Sequence, residues 1–176
     1  MCTSLNIDIA KFQTARKRHI ASARIGAIST KEYLSGIAKE LDLSYNELFT
    51  HWLRTKRENM VIDEEIEELI NSLKKNGCVV GTVTNVIELH NRVRIEKHAY
   101  DLFDFAVVSC EEGVEKPDED IYRLALNKLE FPPEEIVFVD DTEINLETAK
   151  RLGMKTIFFK DNTQLLSDLK KISVKV

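Results

Sequence analysis

Apolar and polar positions follow two different periods along this chain, and the change falls near Met60. Before it, the spacing is helical. Residues 7–24 form a loosely patterned helix with Phe12, Ala15, Ile20 and Ala23 on no tidy stripe. Ser29-Thr30-Lys31-Glu32 reads as a capping box, opening a helix with Tyr33, Leu34, Ile37 and Leu41 on one face. Ser44-Tyr45-Asn46-Glu47 is a second, leading into Leu48, Phe49, Trp52 and Leu53. After it, short apolar runs alternate with helical patterns. Asp63 caps a helix carrying Ile66, Leu69, Ile70 and Leu73, and Gly77 stops it. Strands are predicted at 78–84, 105–109, 136–139 and 156–159, separated by helices at about 87–97, from Asp118 to Leu129, and from Ile144 to Gly153. A last helix carries Leu165, Leu166, Leu169 and Ile172, and the polar tail beyond it is expected to fray. Strict alternation of strand and helix implies an α/β fold: a Rossmann-like parallel sheet flanked by helices, with right-handed crossovers.

One strand organises the rest. Ile136-Val137-Phe138-Val139 has the composition of a strand buried on both faces, and it runs into Asp140-Asp141. Burying carboxylates is costly, so the pair belongs where the strand leaves the core. In an open α/β sheet that is the edge where ligands bind. Two adjacent carboxylates repel and call for a cation, and hard oxygens on few residues suit Mg²⁺. The other strand ends carry related chemistry. The first ends at Thr84-Asn85, a hydroxyl and an amide able to hold phosphate oxygens; after the second comes Lys116, a compact positive charge. Each has an ordinary reading as a cap or a solvated loop residue. Together at the strand ends, they describe a phosphoryl-transfer site.

Composition narrows the classes. The 176 residues fit one domain of usual size. The net charge of −5 argues against nucleic acid as the main partner. Residues 1–60 carry ten Lys/Arg against six Asp/Glu, and residues 61–176 fifteen against twenty-four, so two subregions meet near Met60. The runs Arg16-Lys17-Arg18-His19 and Arg54-Thr55-Lys56-Arg57 could attract an anionic substrate, but most runs of this kind are solvated helix faces. Cys2, Cys78 and Cys110 are odd in number and widely spaced, which suggests neither a disulfide framework nor a zinc site. With no signal-peptide pattern and no apolar run of about 20 residues, a cytoplasmic protein without a membrane partner is expected. A nucleotide-binding Rossmann domain would need a glycine-rich loop, and Thr84-Asn85-Val86-Ile87 has none.

These residues resemble a family. The order Thr84, Lys116-Pro117, Asp140-Asp141 is similar to the later motifs of the haloacid dehalogenase-like (HAD) hydrolases. The segment Ser109-Cys110-Glu111-Glu112-Gly113 through Lys116-Pro117-Asp118 and Ile121-Tyr122 resembles the family's S-x-E-x-G-x-x-K-P-D-x-x-I-Y. Asp140-Asp141 with Asn145, Ala149 and Gly153 resembles its D-D-x-x-x-N-x-x-x-A-x-x-x-G. Gly26-Ala27-Ile28-Ser29 with Glu32-Tyr33 is similar to the start of a helical cap. The resemblance implies a Mg²⁺-dependent hydrolase, most simply a phosphatase on a small phosphorylated metabolite, with dehalogenase chemistry open on the same scaffold. It implies that Thr84 hydrogen-bonds the transferring phosphoryl group and Asn85 orients substrate. Lys116 would neutralise charge, and Asp140 and Asp141 would hold Mg²⁺ with Asn145 in support. Residues 1–60 would be a helical cap region, incomplete, and residues 61–176 an α/β core.

The family's first motif, D-x-D-G-T, is missing. Its first Asp is the nucleophile that forms an aspartyl-phosphate. The only early candidate, Asp8, lacks the second Asp and the Gly-Thr turn after it, so it reads as a polar residue at a helix start. The strand carrying that motif is central in the family, and its absence leaves the Asp140 strand with an unpaired apolar edge, a route to homo-oligomers. Three explanations arise: a longer natural protein, which is the one we expect; residues 2–9 filling the slot; or a strand from a second chain. The chain as given is expected to be inactive or nearly so. The alternative is a HAD-like fold kept as a binding or regulatory module.

Overall fold

A computed structural model describes residues 7–174. Expectations for Met1–Asn6, including Cys2 and most of the slot-filling segment 2–9, lie outside the described residues. The described chain divides into two compact units. One combines the chain up to Val61 with Asn85–Ala99 and Val108–Glu115; the other combines Ile62–Thr84, Tyr100–Val107 and Lys116 onward.

The first unit is helical: α1 (Ile9–Arg24), α2 (Thr30–Glu40), α3 (Tyr45–Asn59), and farther along the chain α5 (Glu88–Glu96) and the single turn α6 (Ser109–Glu112). Both capping boxes are present, Ser29 with Glu32 and Ser44 with Glu47. Asp8 caps α1, accepting from the Ala10 and Lys11 N–H groups at 2.8 and 3.1 Å. These caps satisfy donors that a helix start leaves unpaired. The core gathers on Trp52, with Phe12 at 5.5 Å, Tyr33 at 5.7 Å and His90 at 5.9 Å between ring centroids. Leu34, Ile37 and Leu48 are fully buried beside it. Each such side chain contributes about 1.5–3 kcal/mol, enough for the weakly patterned α1 to be held by packing. The basic runs mostly meet carboxylates at the surface: Arg18 pairs with Glu40 at 2.6 Å and Arg57 with Glu96 at 2.8 Å.

The second unit holds α4 (Glu64–Lys75), the four strands β1 (Gly81–Thr84), β2 (Phe105–Val108, its last residue grouping with the helical unit), β3 (Val137–Asp140) and β4 (Lys155–Phe158), and the helices α7 (Glu119–Asn127), α8 (Glu143–Arg151) and α9 (Asn162–Lys171). β3 and β4 run parallel with Val137 opposite Lys155 and Asp140 opposite Phe158. Among the described residues the four strands do not form one sheet: β1 pairs with β2, and β3 with β4. β3 is consequently not buried on both faces as its composition suggests, and Val139 is 37% exposed. Leu69, Ile157, Leu165 and Leu169 pack α4 and α9 against β4. In the tail beyond Ile172, the Val174 N–H donates to Leu169 O at 3.0 Å, and residues 175–176 lie outside the described residues. No helix among the described residues is long and apolar enough to cross a membrane.

Candidate active site

Asp140 closes β3, and strand and helix together set its surroundings. Its side chain is 5% exposed, yet every partner it needs is local. Lys116 Nζ donates to Oδ2 at 2.6 Å. Asn145 Nδ2 donates to Oδ1 at 3.0 Å, and the Thr142 N–H to the same oxygen at 2.9 Å. Asn145 lies five residues on, in the first turn of α8, which is what brings its amide back over the strand end. Burial alone would raise the Asp140 pKa. Hydrogen bonds from Lys116 and Asn145, the Lys116 charge and the Thr142 N–H outweigh it, holding the carboxyl below its ordinary value.

A further layer fixes these partners. Tyr122 on α7 is fully buried and donates through its hydroxyl to the Asn145 carbonyl at 2.9 Å. Burial, then the nearby Asp140 charge, push its phenol well above the ordinary range, so it remains a donor. Thr148 Oγ1 donates to the Pro117 carbonyl at 3.1 Å, tying α8 to the segment that carries Lys116. The Lys116 ammonium also sits 5.6 Å from the centroid of the Phe138 ring. Thr148 carried no signal in the sequence, because a threonine inside a helix is ordinarily a solvated or packing residue. Tyr122 was visible only as part of a motif.

Of the residues singled out from the sequence, Lys116, Asp140 and Asn145 come together directly. Asp141 is exposed at the next position, accepting from the Thr142 hydroxyl at 3.1 Å. Thr84 is the last residue of β1, and Asn85 follows it in the helical unit. Asp8 serves as a helix cap.

The donor set suits a hard divalent cation in kind, offering two neighbouring carboxylates. In number it is sparse: no group of three or more His, Cys, Asp or Glu side chains among the described residues is placed to hold a metal. Asp140 is already engaged on both oxygens, leaving Asp141 as the open ligand. Such a site fits Mg²⁺ only where waters and a phosphate complete the shell.

The fold is a parallel β/α unit with a buried Lys–Asp pair at a strand's carboxyl end, and comparison with known proteins gives its family. Residues 11–159 match the haloacid dehalogenase-like hydrolase family, and the chain belongs to it. It is 31% identical over 144 residues to bifunctional epoxide hydrolase 2 of Sus scrofa, covering 79% of this chain and 25% of that one. It is 37% identical over 92 residues to glyceraldehyde 3-phosphate phosphatase of Pyrococcus furiosus, covering 50% and 38%. The chain thus spans about a quarter of the length of the epoxide hydrolase it matches. In fold it is similar to a HAD family enzyme of Bacteroides thetaiotaomicron solved with magnesium and inorganic phosphate, at TM-score 0.66 and 22% identity, covering 88% of this chain and 87% of that one.

Proposed function

We propose that this HAD-family chain carries the charge-stabilising half of a Mg²⁺-dependent phosphatase site for a small phosphate ester. The observation that carries this reading is the buried Lys116–Asp140–Asn145 constellation, with Asp141 open beside it. Lys116 is held in place by Asp140 and presents its positive charge where phosphoryl oxygens would gather. Thr84 and Asn85 are the polar groups that would orient the ester. Asp141, with Asp140, would hold Mg²⁺, which when bound offsets phosphate charge. The helices of residues 1–60 would act as a cap that excludes water and selects substrate. The similarity to a phosphatase over half of the chain supports phosphate chemistry over dehalogenation. The substrate would be a soluble phosphorylated metabolite, consistent with a cytoplasmic setting and with neither nucleic acid nor membrane as partner.

Asp8, the only early candidate for the nucleophile, accepts from the Ala10 and Lys11 N–H groups as a helix cap, which supports the reading that the first motif's chemistry is missing from this chain. Turnover of p-nitrophenyl phosphate by the 176-residue chain is accordingly expected to be absent or at trace level. Binding is the sharper measurement. Calorimetric titration of Mg²⁺ should be strengthened by inorganic phosphate, and Asp141→Asn should remove that coupling. Mg²⁺ and phosphate that bind independently, or not at all, would instead establish the fold as a binding or regulatory module. Robust turnover that survives Asp140→Asn and Lys116→Ala would overturn both the site and the account of its nucleophile.

A further inference from the structure

The two basic runs of the helical unit are neutralised only in part. Arg18 and His19 meet Glu40, Arg54 meets Glu58, and Arg57 meets Glu96. Among the described residues, Arg16 and Lys56 meet no carboxylate. They converge instead on α5. Burial, then the charges of Arg16 and Arg94, lower the Lys56 pKa. Burial, then the charges of Lys56, Arg94 and Arg16, hold His90 uncharged. Four basic side chains from α1, α3 and α5 thus share one positive field. A solvated run would spread its charges into water, whereas like charges gathered at a concave surface disfavour one another.

The concave surface is a cavity of about 320 Å³ that lies within the helical unit. Lys56, His90 and Arg94 line it together with the apolar Met60, Val61 and Val93, and no Asp or Glu does. Small-molecule sites run from about 300 to 1,000 Å³, so the space suits a small ligand. His90 adds direction. Its Nε2 accepts from Trp52 Nε1 at 2.7 Å, so the neutral ring carries its proton on Nδ1. Among the described residues that second N–H makes no hydrogen bond, which leaves a donor on a ring that lines the cavity.

We propose that this cavity binds a small organic anion, its oxyanion group (phosphate or carboxylate) held by Lys56, Arg94 and the His90 Nδ1–H and its short apolar body by Met60, Val61 and Val93. Arg94 offers a planar fork that suits two oxygens, Lys56 a compact charge, and His90 a neutral donor of fixed direction. Arg16, whose guanidinium lies 5.8 Å from the Phe12 ring centroid and 5.9 Å from that of Trp52, adds to the field without lining the cavity. An inorganic ion would answer the charges and leave the apolar side chains in water, so an alkyl group should add affinity. Mg²⁺, Lys116 and Asp141 take no part in this site.

Trp52 is the chain's single tryptophan and is bonded to His90, so its fluorescence reports on the cavity. The full 176-residue chain is titrated with methyl phosphate, butyl phosphate, butyrate and butylammonium in Mg²⁺-free buffer with EDTA. Butyl phosphate or butyrate should give a saturable change in emission, and the tighter of the two identifies the oxyanion. Lengthening methyl to butyl phosphate should tighten binding about tenfold. Lys56→Met should weaken it by about tenfold, the scale of one charge-assisted hydrogen bond, and Lys56→Arg should largely retain it. Because Lys56→Met removes one of several clustered like charges, it should not lower the melting temperature, which separates lost binding from lost fold. Arg94→Gln should also weaken binding. No saturable change with either anion would overturn the proposal. So would an equal response to butylammonium, or to sodium chloride at matched ionic strength, or a titration unaltered by both variants. Emission changes without coupling of Mg²⁺ to phosphate would count against the proposed function alone; that coupling without emission changes would count against this site alone.

Discussion

Two buried residues, Lys116 and Asp140, are the clearest case of a charge pair that is costly alone and stable together. With side chains 12% and 5% exposed, neither can recover its hydration. Removing one partner strands the other, a change that typically costs about 3–5 kcal/mol. Lys116→Ala is therefore expected to be destabilising on that scale by urea denaturation, while Lys116→Ala with Asp140→Asn should recover part of it. His90 in the helical unit gives the opposite kind of group, one buried uncharged. Its Nε2 accepts from Trp52 Nε1 at 2.7 Å. Burial, then the charges of Lys56, Arg94 and Arg16, lower its pKa from 6.5 to about 3. A depressed histidine pKa means that the unfolded chain binds the proton first. Its stabilising share is complete above about pH 6.5 and falls as pH drops toward 3, by up to roughly 1.4 kcal/mol per pH unit. His90→Gln can retain an acceptor for Trp52 and does not titrate. Its stability should fall less steeply across this window, as read by denaturation at pH 4, 5, 6 and 7.

At the level of elements, most helices were legible because their ends are written in local chemistry. Ser29, Ser44, Asp63 and Asp118 were each assigned to helix starts, and each side chain accepts from a first-turn N–H. Ser29→Ala should cost about 1 kcal/mol through that lost cap, measurable as a lowered melting temperature. Strand ends were less legible. The 78–84 run shortens to Gly81–Thr84, because Val80 spends its N–H on the Asp104 carboxylate at 2.8 Å, a contact across 24 residues that no local pattern announces. Gly81 has its own reason: a Cβ there would lie 2.1 Å from the Phe105 ring. Gly81→Val should disrupt the β1–β2 pair and cost more than about 2 kcal/mol. Adding Phe105→Ala should return part of that, whereas Phe105→Ala alone should destabilise by loss of packing.

For the molecule as a whole, the sequence announced the α/β class and the charged constellation, and only the missing first motif, not the strand runs themselves, pointed to an unpaired edge on the Asp140 strand. Four apolar runs alternating with helices read as one sheet; pairing depends on which neighbours are available, and that information lies outside each run. Among the described residues, β1–β2 and β3–β4 remain separate pairs, and the edges this leaves have a physical consequence. A native protein rarely leaves β-branched side chains and unpaired backbone exposed along a strand edge, since both favour association. Val139 illustrates it: it belongs to a four-residue apolar run, lines a cavity of about 560 Å³ and is still 37% exposed. The folded chain is accordingly expected to bind 8-anilinonaphthalene-1-sulfonate under native conditions, with circular dichroism showing intact helices. It should also show concentration-dependent association by light scattering. Val139→Lys places a charge on the open edge and should reduce both signals together. If dye binding persisted in that variant while association fell, the exposed surface responsible for the dye would lie elsewhere, and the edge would account only for self-pairing.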